Sequence, residues 1–105
     1  MIIAPCSGNT LAKLATGITD TPVLMAAKSH LRNGGNLVLG ISTNDGLGRS
    51  AQNIGKLLND KNIYFIPFRQ DNPITKPRSL VFDSKYIIKT IEKALVNEQI
   101  QPMLL

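Results

Sequence analysis

The side chains best suited to binding a small ligand lie in a short polar loop, Pro5–Thr10. Gly8 lets the backbone approach a ligand closely, while Ser7, Asn9 and Thr10 supply short hydrogen-bonding groups. An amphipathic helix follows, and its unpaired N–H groups and dipole favour an anion at this point. The same residue types also suit any strand-to-helix turn, so composition alone leaves binding and turn formation as alternatives.

A second loop, Ser42–Gly46, has a similar composition and also lies between an apolar strand and a helix. Ligands of open parallel sheets bind beyond the carboxyl ends of the strands. We therefore expect the two loops to lie side by side and to face one shared ligand.

The remaining reactive side chains do not form a catalytic set. Cys6 is the single cysteine, so it has no partner for an internal disulfide, and as a nucleophile it would need a base. The only histidine, His30, falls late in a predicted helix, where we expect a surface or partly packed ring. Asp20 and Asp45 each precede a predicted helix, where capping is favoured over acid or base chemistry. No cluster of Cys and His predicts a metal site.

Alternating strands and helices must position these loops. Apolar runs without alternation predict three strands, and apolar residues spaced by three and four predict four helices. Asn9 or Thr10 can cap the first helix. The predicted strands are Met1–Ala4, Leu37–Ile41 and Ile63–Ile66, and the apolar faces of the helices are Leu11, Leu14, Ala15 and Ile18; Val23, Leu24, Ala27 and Leu31; Leu47, Ala51, Ile54, Leu57 and Leu58; and Ile87, Ile91, Ala94 and Leu95.

Two segments fall outside this alternation. The polar stretch Arg69–Arg78 predicts a connector, in which Arg69, Lys76 and Arg78 are either solvated or bind the carboxylates of an acidic ligand. The apolar tail, residues 100–105, is expected either to pack on its own sheet or to form an assembly surface.

Size and charge narrow the function classes. The chain has 105 residues and a net charge of +5, which suits one small domain and excludes a multidomain enzyme. Its basic residues form no run of three and it has no Trp, so nucleic-acid binding is disfavoured. No apolar segment predicts a membrane span or a signal peptide, so we expect a cytoplasmic protein.

The order of elements predicts an α/β fold of three layers, Rossmann-like, with a parallel sheet. Three strands are few for such a sheet, in which five or more are usual, and the first strand has no predicted neighbour at the sheet's other edge. We therefore expect residues 1–105 to form a single but partial domain.

The segment Ile2–Ala15 resembles the flavoprotein superfamily of FMN-dependent cysteine decarboxylases, in which the loop reads Pro-x-Ser-Ala-Asn-Thr and borders the flavin. The resemblance implies flavin contacts from Ser7, Asn9 and Thr10, with Gly8 at the cofactor-binding position that is usually alanine. In the second loop the family has Pro-x-Met-Asn followed by a methionine, and this sequence matches that pattern at fewer positions. This adds only Asn44 to the implied contacts.

Longer segments are similar to one branch of this superfamily, the B subunits of dipicolinate synthase. The resemblance implies a subunit that acts with a nicotinamide-dependent A subunit, which binds NADP, to convert dihydrodipicolinate to dipicolinate in the mother cell of a sporulating bacterium. It also implies a homo- or hetero-oligomer. The similar segments are Thr19–Lys28, Leu39–Gly48, Lys61–Phe68 and Lys76–Val81.

Members of this branch are about twice as long, so the resemblance implies that this chain is the C-terminal half of a flavoprotein-like domain. The other half would supply the glycine-rich loop that holds the FMN phosphate in the decarboxylases. Two alternatives remain: an FMN-binding flavoprotein of the cysteine decarboxylase type, and an inactive remnant or scaffold. The first predicts a yellow protein, and the second predicts exposed apolar surface.

Overall fold

A mixed five-stranded sheet lies at the centre of the structure, a computed structural model that describes all residues from Met1 to Leu105. Three strands are parallel, and two form an antiparallel hairpin beside them. The strands are β1 (Ile2–Cys6), β2 (Leu37–Thr43), β3 (Ile63–Phe65), β4 (Phe68–Asn72) and β5 (Lys76–Phe82).

Four helices cover this sheet. None of them is long and apolar enough to cross a lipid bilayer. The helices are α1 (Gly8–Thr16), α2 (Pro22–Arg32), α3 (Ser50–Leu58) and α4 (Ile87–Leu95), the last preceded by a single 3-10 turn.

Strand β2 is the centre of the sheet. It pairs in parallel with β1, where Cys6 lies opposite Ile41, and with β3, where Leu39 lies opposite Phe65. Its carboxyl end pairs antiparallel with β5, with Thr43 opposite Leu80. Strand β1 pairs with β2 alone, so one edge of β1 has no strand partner.

The two faces of β2 belong to different layers, which explains its continuous apolar sequence. Leu39 and Ile41 lie in the larger core cluster with Leu11 of α1 and Ile54 of α3. Val38 points to the other face, where the core consists of Val38, Ile66 and Ala94, with partly buried residues of α4 around them. Helices α1, α2 and α3 thus form one layer and α4 the other, confirming the three-layer α/β prediction.

The predicted connector Arg69–Arg78 is wrong, because this stretch forms the β4–β5 hairpin. Its turn is closed by Asn72, whose Oδ1 accepts hydrogen bonds from the N–H groups of Ile74 and Thr75, both at 3.1 Å. Phe68 and Leu80 join the larger core cluster, but the residues nearer the turn are exposed, so backbone hydrogen bonds hold that part of the hairpin together.

Several residues predicted to face the core are exposed instead. Ile18 follows the C-cap of α1, Gly17, and Leu47 precedes the first turn of α3, so neither lies on a helix. Ser50 and Thr90 are buried in their helices although they are polar. The exposed residues are Ile18, Val23, Leu47, Ala51, Leu58 and Leu95.

The apolar tail packs on its own sheet. Phe68 donates its N–H to the carbonyl of Met103, and Leu105 donates its own to the carbonyl of Phe68, at 2.9 and 3.0 Å. Ile100 is buried, whereas Leu104 remains exposed.

The packing of β2 predicts a large cost for truncating a side chain on its helix-covered face. Leu39→Ala should lower the free energy of unfolding by about 2–5 kcal/mol, because Leu39 is fully buried and a cavity would remain. Urea denaturation measures this change. Ile74→Ala is the matched control: Ile74 is 90% exposed, so its removal should change stability by less than about 0.5 kcal/mol. Equal effects of the two substitutions would contradict the described packing.

Candidate ligand site at the carboxyl ends of β1 and β2

The two polar loops lie side by side at one end of the sheet. Ser7 directly follows β1, Asn44 directly follows β2, and the two strands are parallel neighbours. The loops also touch: a Cβ atom placed on Gly8 would lie 2.7 Å from Oγ1 of Thr43. Glycine at this position therefore allows the start of α1 to pack directly on the end of β2.

Ser7, and not Asn9 or Thr10 as predicted, caps α1. Its Oγ accepts a hydrogen bond from the N–H of Thr10 at 3.3 Å and donates one to the Thr10 hydroxyl at 3.2 Å. The N–H groups of Gly8 and Asn9 lie in the first turn, where a helix offers them no partner. The Asn9 side chain is exposed beside them. The loop thus presents two backbone donors and an amide at its surface.

Asp45 organises the second loop. Its Oδ1 accepts hydrogen bonds from the hydroxyls of Thr43 and Ser50, each at 2.7 Å. These two bonds hold the pKa of the Asp45 carboxyl below its ordinary value, and the Arg49 guanidinium adds a smaller effect. The prediction that Asp45 caps the following helix is wrong, because its carboxylate accepts hydrogen bonds from hydroxyls. Its backbone carbonyl accepts hydrogen bonds from the N–H groups of Gly48 and Ser50.

The hairpin brings cationic side chains to the second loop. Asn44, Lys76, Pro77 and Arg78 line an open depression of about 400 Å³. The carbonyl of Arg78 accepts the N–H of Leu47 at 2.9 Å, which ties the hairpin to the loop. The depression therefore joins an exposed amide to two cations.

Among the three cations that the sequence singled out, Arg78 alone has no acidic partner. Arg69 pairs with Asp83 at 3.0 Å, at the open end of the hairpin opposite its turn. Lys76 lies 3.6 Å from Asp71. The structure thus brings Lys76 and Arg78 to Asn44 and leaves Arg69 in a separate ion pair.

The other reactive residues have structural roles. Cys6 is fully buried, and this burial raises the pKa of its thiol to about 12, which does not suit a nucleophile. His30 is partly buried, as predicted, and its Nε2 lies 2.9 Å from the carbonyl oxygen of Asn36. Asp20 pairs with Lys13 at 3.0 Å, whereas Thr21 caps α2, so the capping role expected for Asp20 is wrong. No group of acidic, Cys and His side chains is arranged to hold a metal ion.

Sequence reasoning misses Ser50 and the position of Arg78. Ser50 lies five residues beyond Asp45, in a segment predicted as helix, and no pattern marks its hydroxyl as a partner. Arg78 falls in the predicted connector because its strand lacks apolar alternation. The turn residues between β4 and β5, with Asn72 and Pro73 together, are the signal that could have indicated a hairpin.

Polar loops at the carboxyl ends of adjacent parallel strands, in a three-layer α/β domain, define the Rossmann-like class of ligand-binding folds. The Flavoprotein family model matches residues 1–92, and the chain belongs to that family.

Two relatives narrow this assignment. The dipicolinate synthase B subunit of Bacillus subtilis (strain 168) is 54% identical over 104 residues, which are 99% of this chain and 52% of that protein. The crystal structure of the dipicolinate synthase B subunit from Bacillus halodurans C shares 55% identity and superposes with a TM-score of 0.98 over 100% of this chain and 54% of that one. The chain spans about half the length of these relatives.

The donor set of the site suits part of a flavin. Exposed amides on Asn9 and Asn44 and the free N–H groups at the start of α1 match the polar edge of a flavin ring. The space beside Gly8 is filled by Thr43, so Gly8 serves loop packing there. None of the surface cavities includes the first loop. The assignment of these residues to a flavin therefore stays a prediction.

The contact of Gly8 with Thr43 predicts that a methyl group added at Gly8 lowers the stability of the protein, whereas one added at an open glycine position does not. Gly8→Ala should destabilise the protein by about 1–3 kcal/mol, since the new Cβ would overlap Oγ1 of Thr43. Gly55→Ala is the matched control, because nothing lies within 4 Å of its Cβ position in the interior of α3, and it should raise stability by up to about 1 kcal/mol. Thermal unfolding of both variants checks the contact. A neutral Gly8→Ala variant would show that the loops are not packed together.

The hydrogen bonds from two hydroxyls to Asp45 predict that removing one hydroxyl changes the pKa of this carboxyl group. Ser50→Ala should raise the pKa of Asp45 towards its ordinary value, while the pKa of Asp83, which is lowered mainly by the N–H of Lys85, should not change. Carbon NMR of the carboxyl groups measures both residues in one sample.

The same bonds give a pH dependence of stability. Because the folded-state pKa of Asp45 lies below its unfolded value, its stabilisation is present above about pH 4 and is lost as the pH falls through the folded-state pKa. The stability difference between the wild type and Asp45→Asn should shrink over that range. A difference that stays constant from pH 7 to pH 2 would contradict the stabilised carboxylate.

Proposed function

We propose that this chain supplies half of the B subunit of a dipicolinate synthase, acting with a nicotinamide-dependent A subunit to oxidise dihydrodipicolinate to dipicolinate during sporulation. The observation that carries the proposal is the 54% identity to such a subunit over nearly the whole chain. The expected location is the cytoplasm of the mother cell. The similarity to dipicolinate synthase B subunits leads us to expect NADP on the A subunit, and this chain has no glycine-rich dinucleotide fingerprint after a strand.

The site is suited to a substrate with two carboxylates. Arg78 offers a planar fork of N–H donors that matches one carboxylate, and Lys76 adds a second positive charge in the same depression. Asn44 lies on its wall, and the start of α1 provides N–H donors and a positive helix end at the neighbouring strand. A dicarboxylate bound between the hairpin and the first loop would meet complementary charge.

In this proposal the chain positions the substrate, and the redox step takes place on the partner. Oxidation of dihydrodipicolinate to the aromatic ring transfers one hydride to the oxidised nicotinamide and releases one proton. No acid–base pair adjoins the two loops: Cys6 is buried as a thiol, and the Asp45 carboxylate is occupied by two hydroxyls. The roles that these residues support are therefore charge recognition and orientation of the ring.

Family membership supports a second candidate, a flavin-binding protein of the cysteine decarboxylase type, in which FMN would supply two-electron redox chemistry. Ser7, Gly8, Asn9, Thr10 and Asn44 would then border the ring, through the hydroxyls, amides and first-turn N–H groups described above. The cations of the hairpin and the similarity to the B subunits of dipicolinate synthase favour the first proposal.

Reconstitution tests the proposed function. Purified A subunit, dihydrodipicolinate and NADP should form dipicolinate faster when this chain is added together with a polypeptide that carries the part of the Bacillus subtilis protein it does not match, and Asn9→Ala should weaken the effect. Arg78→Ala should raise the KM for dihydrodipicolinate by about tenfold or more, as expected for a lost charged hydrogen bond of about 1.5–3 kcal/mol. Arg69→Ala is the matched control, because that guanidinium already pairs with Asp83.

Three results would contradict the proposal: no effect of the chain, no effect of Asn9→Ala, or equal effects of the two arginine substitutions. Flavin absorbance that copurifies with the chain and is lost in Asn44→Ala would instead support the second candidate.

A further inference from the structure

Helices α1 and α2 leave an open groove between them. Its volume is about 300 Å³, at the lower end of the range of small-molecule pockets. The groove borders the C-terminal half of α1, whereas the candidate ligand site lies at the start of that helix, so the two are separate. We call it the α1–α2 groove; its lining includes Leu14, Ile18, Leu24 and Leu31, with Lys13 and Lys28 beside them.

The apolar side chains of the groove extend beyond the core of the domain. Leu14 and Leu31 pack against the larger core cluster and also line the groove. Leu24 is only 2% exposed, yet it belongs to neither core cluster. Ile18, which the sequence predicts to face the core, lines the groove instead and is 46% exposed. The groove thus offers apolar surface that the chain itself does not cover.

Regular helix geometry fixes the shape of the groove. Leu24, Lys28 and Leu31 are spaced by four and three residues, so they share one face of α2. On α1, Gly17 ends the helix in the left-handed conformation, and Ile18 donates its N–H to the carbonyl of Lys13 at 3.0 Å. These backbone hydrogen bonds hold both sides of the groove in place without a ligand.

The charges around the groove leave one cation unbalanced. Nζ of Lys13 donates hydrogen bonds to both carboxylate oxygens of Asp20, at 3.1 and 3.0 Å, so this charge is already paired. Lys28 has no acidic partner. No acidic side chain lines the groove. Its charge therefore complements a ligand that carries one negative charge.

We propose that the α1–α2 groove binds a small aliphatic monocarboxylate. The hydrocarbon chain would cover Ile18 and the apolar side chains next to it, which removes apolar surface from water, and the carboxylate would pair with Nζ of Lys28. A phosphate monoester suits the groove less well, because it carries nearly two negative charges at neutral pH. A dicarboxylate would bring its second charge against apolar side chains, which is unfavourable.

Titration of the full chain with sodium octanoate tests the proposal. Methyl NMR should show saturable shifts for the four apolar residues that line the groove, and no shift for Ile74, which is exposed on the hairpin turn. Octanol, which has the same chain without the charge, should bind more weakly. Dipicolinate should leave these methyl signals unchanged, which separates the groove from the candidate ligand site.

Substitutions of Lys28 test the role of its charge. Lys28→Gln should raise the Kd for octanoate about fivefold, as expected for a partly solvated ion pair. Lys56→Gln is the matched control, because Lys56 is also an exposed helical lysine without an acidic partner but lines no cavity; it should leave the Kd unchanged. Lys28→Glu should reverse the preference, so that octylamine binds better than octanoate.

Several outcomes would overturn the proposal. They are the absence of saturable shifts, equal affinity of the two glutamine variants, and binding of octanol as tight as that of octanoate. A dimer of the chain that Ile18→Glu dissociates would overturn it as well, since a second copy would then fill the groove. Circular dichroism of each variant separates loss of binding from loss of folding. None of these measurements involves dipicolinate formation, so the inference stands or falls independently of the proposed function.

Discussion

The burial of β2 on both faces is the constraint on which the rest of the structure depends. Leu39 and Ile41 pack under α1 and α3, while Val38 packs under α4, so the strand cannot shift its register by one residue without exchanging its two layers. This fixed register sets where β2 ends. It therefore fixes Thr43 and Asn44 relative to the start of α1, and with them the geometry of the candidate site.

A set of short polar contacts then joins the loops to one another and to the hairpin. Gly8 lets α1 approach Thr43, the hydroxyl of Thr43 bonds Asp45, and Asp45 also bonds Ser50 at the start of α3. On the other side the hairpin is attached through the carbonyl of Arg78. Since each contact holds an element that follows or borders β2, the loops form a prearranged surface, with Asn9 and Asn44 at its exterior. Such preorganisation suits ligand binding.

The parallel part of the fold could be predicted from sequence because apolar runs and helical periodicity report burial directly. Strands β1 to β3 and all four helices follow from those patterns, and so does the adjacency of the two loops. The hairpin could not be predicted from these patterns. Arg69, Gln70 and Lys76 are exposed, and the backbone hydrogen bonds that pair the two strands leave no side-chain pattern in the sequence. The partners of Asp45 were missed for a related reason: a hydroxyl that becomes buried only through tertiary contacts has no sequence signature. The assignment of Ser7, Gly8, Asn9, Thr10 and Asn44 to a cofactor stays a prediction.

Ser7 is the direct continuation of β1, the strand whose outer edge is unpaired. A parallel strand added there would place the loop that follows it next to Ser7, so the same event that lengthens the sheet would add a wall to the candidate site. Assembly and ligand affinity are then thermodynamically linked, and each strengthens the other by the same factor. Ligand binding at the candidate site would then depend on assembly without a dedicated regulatory element.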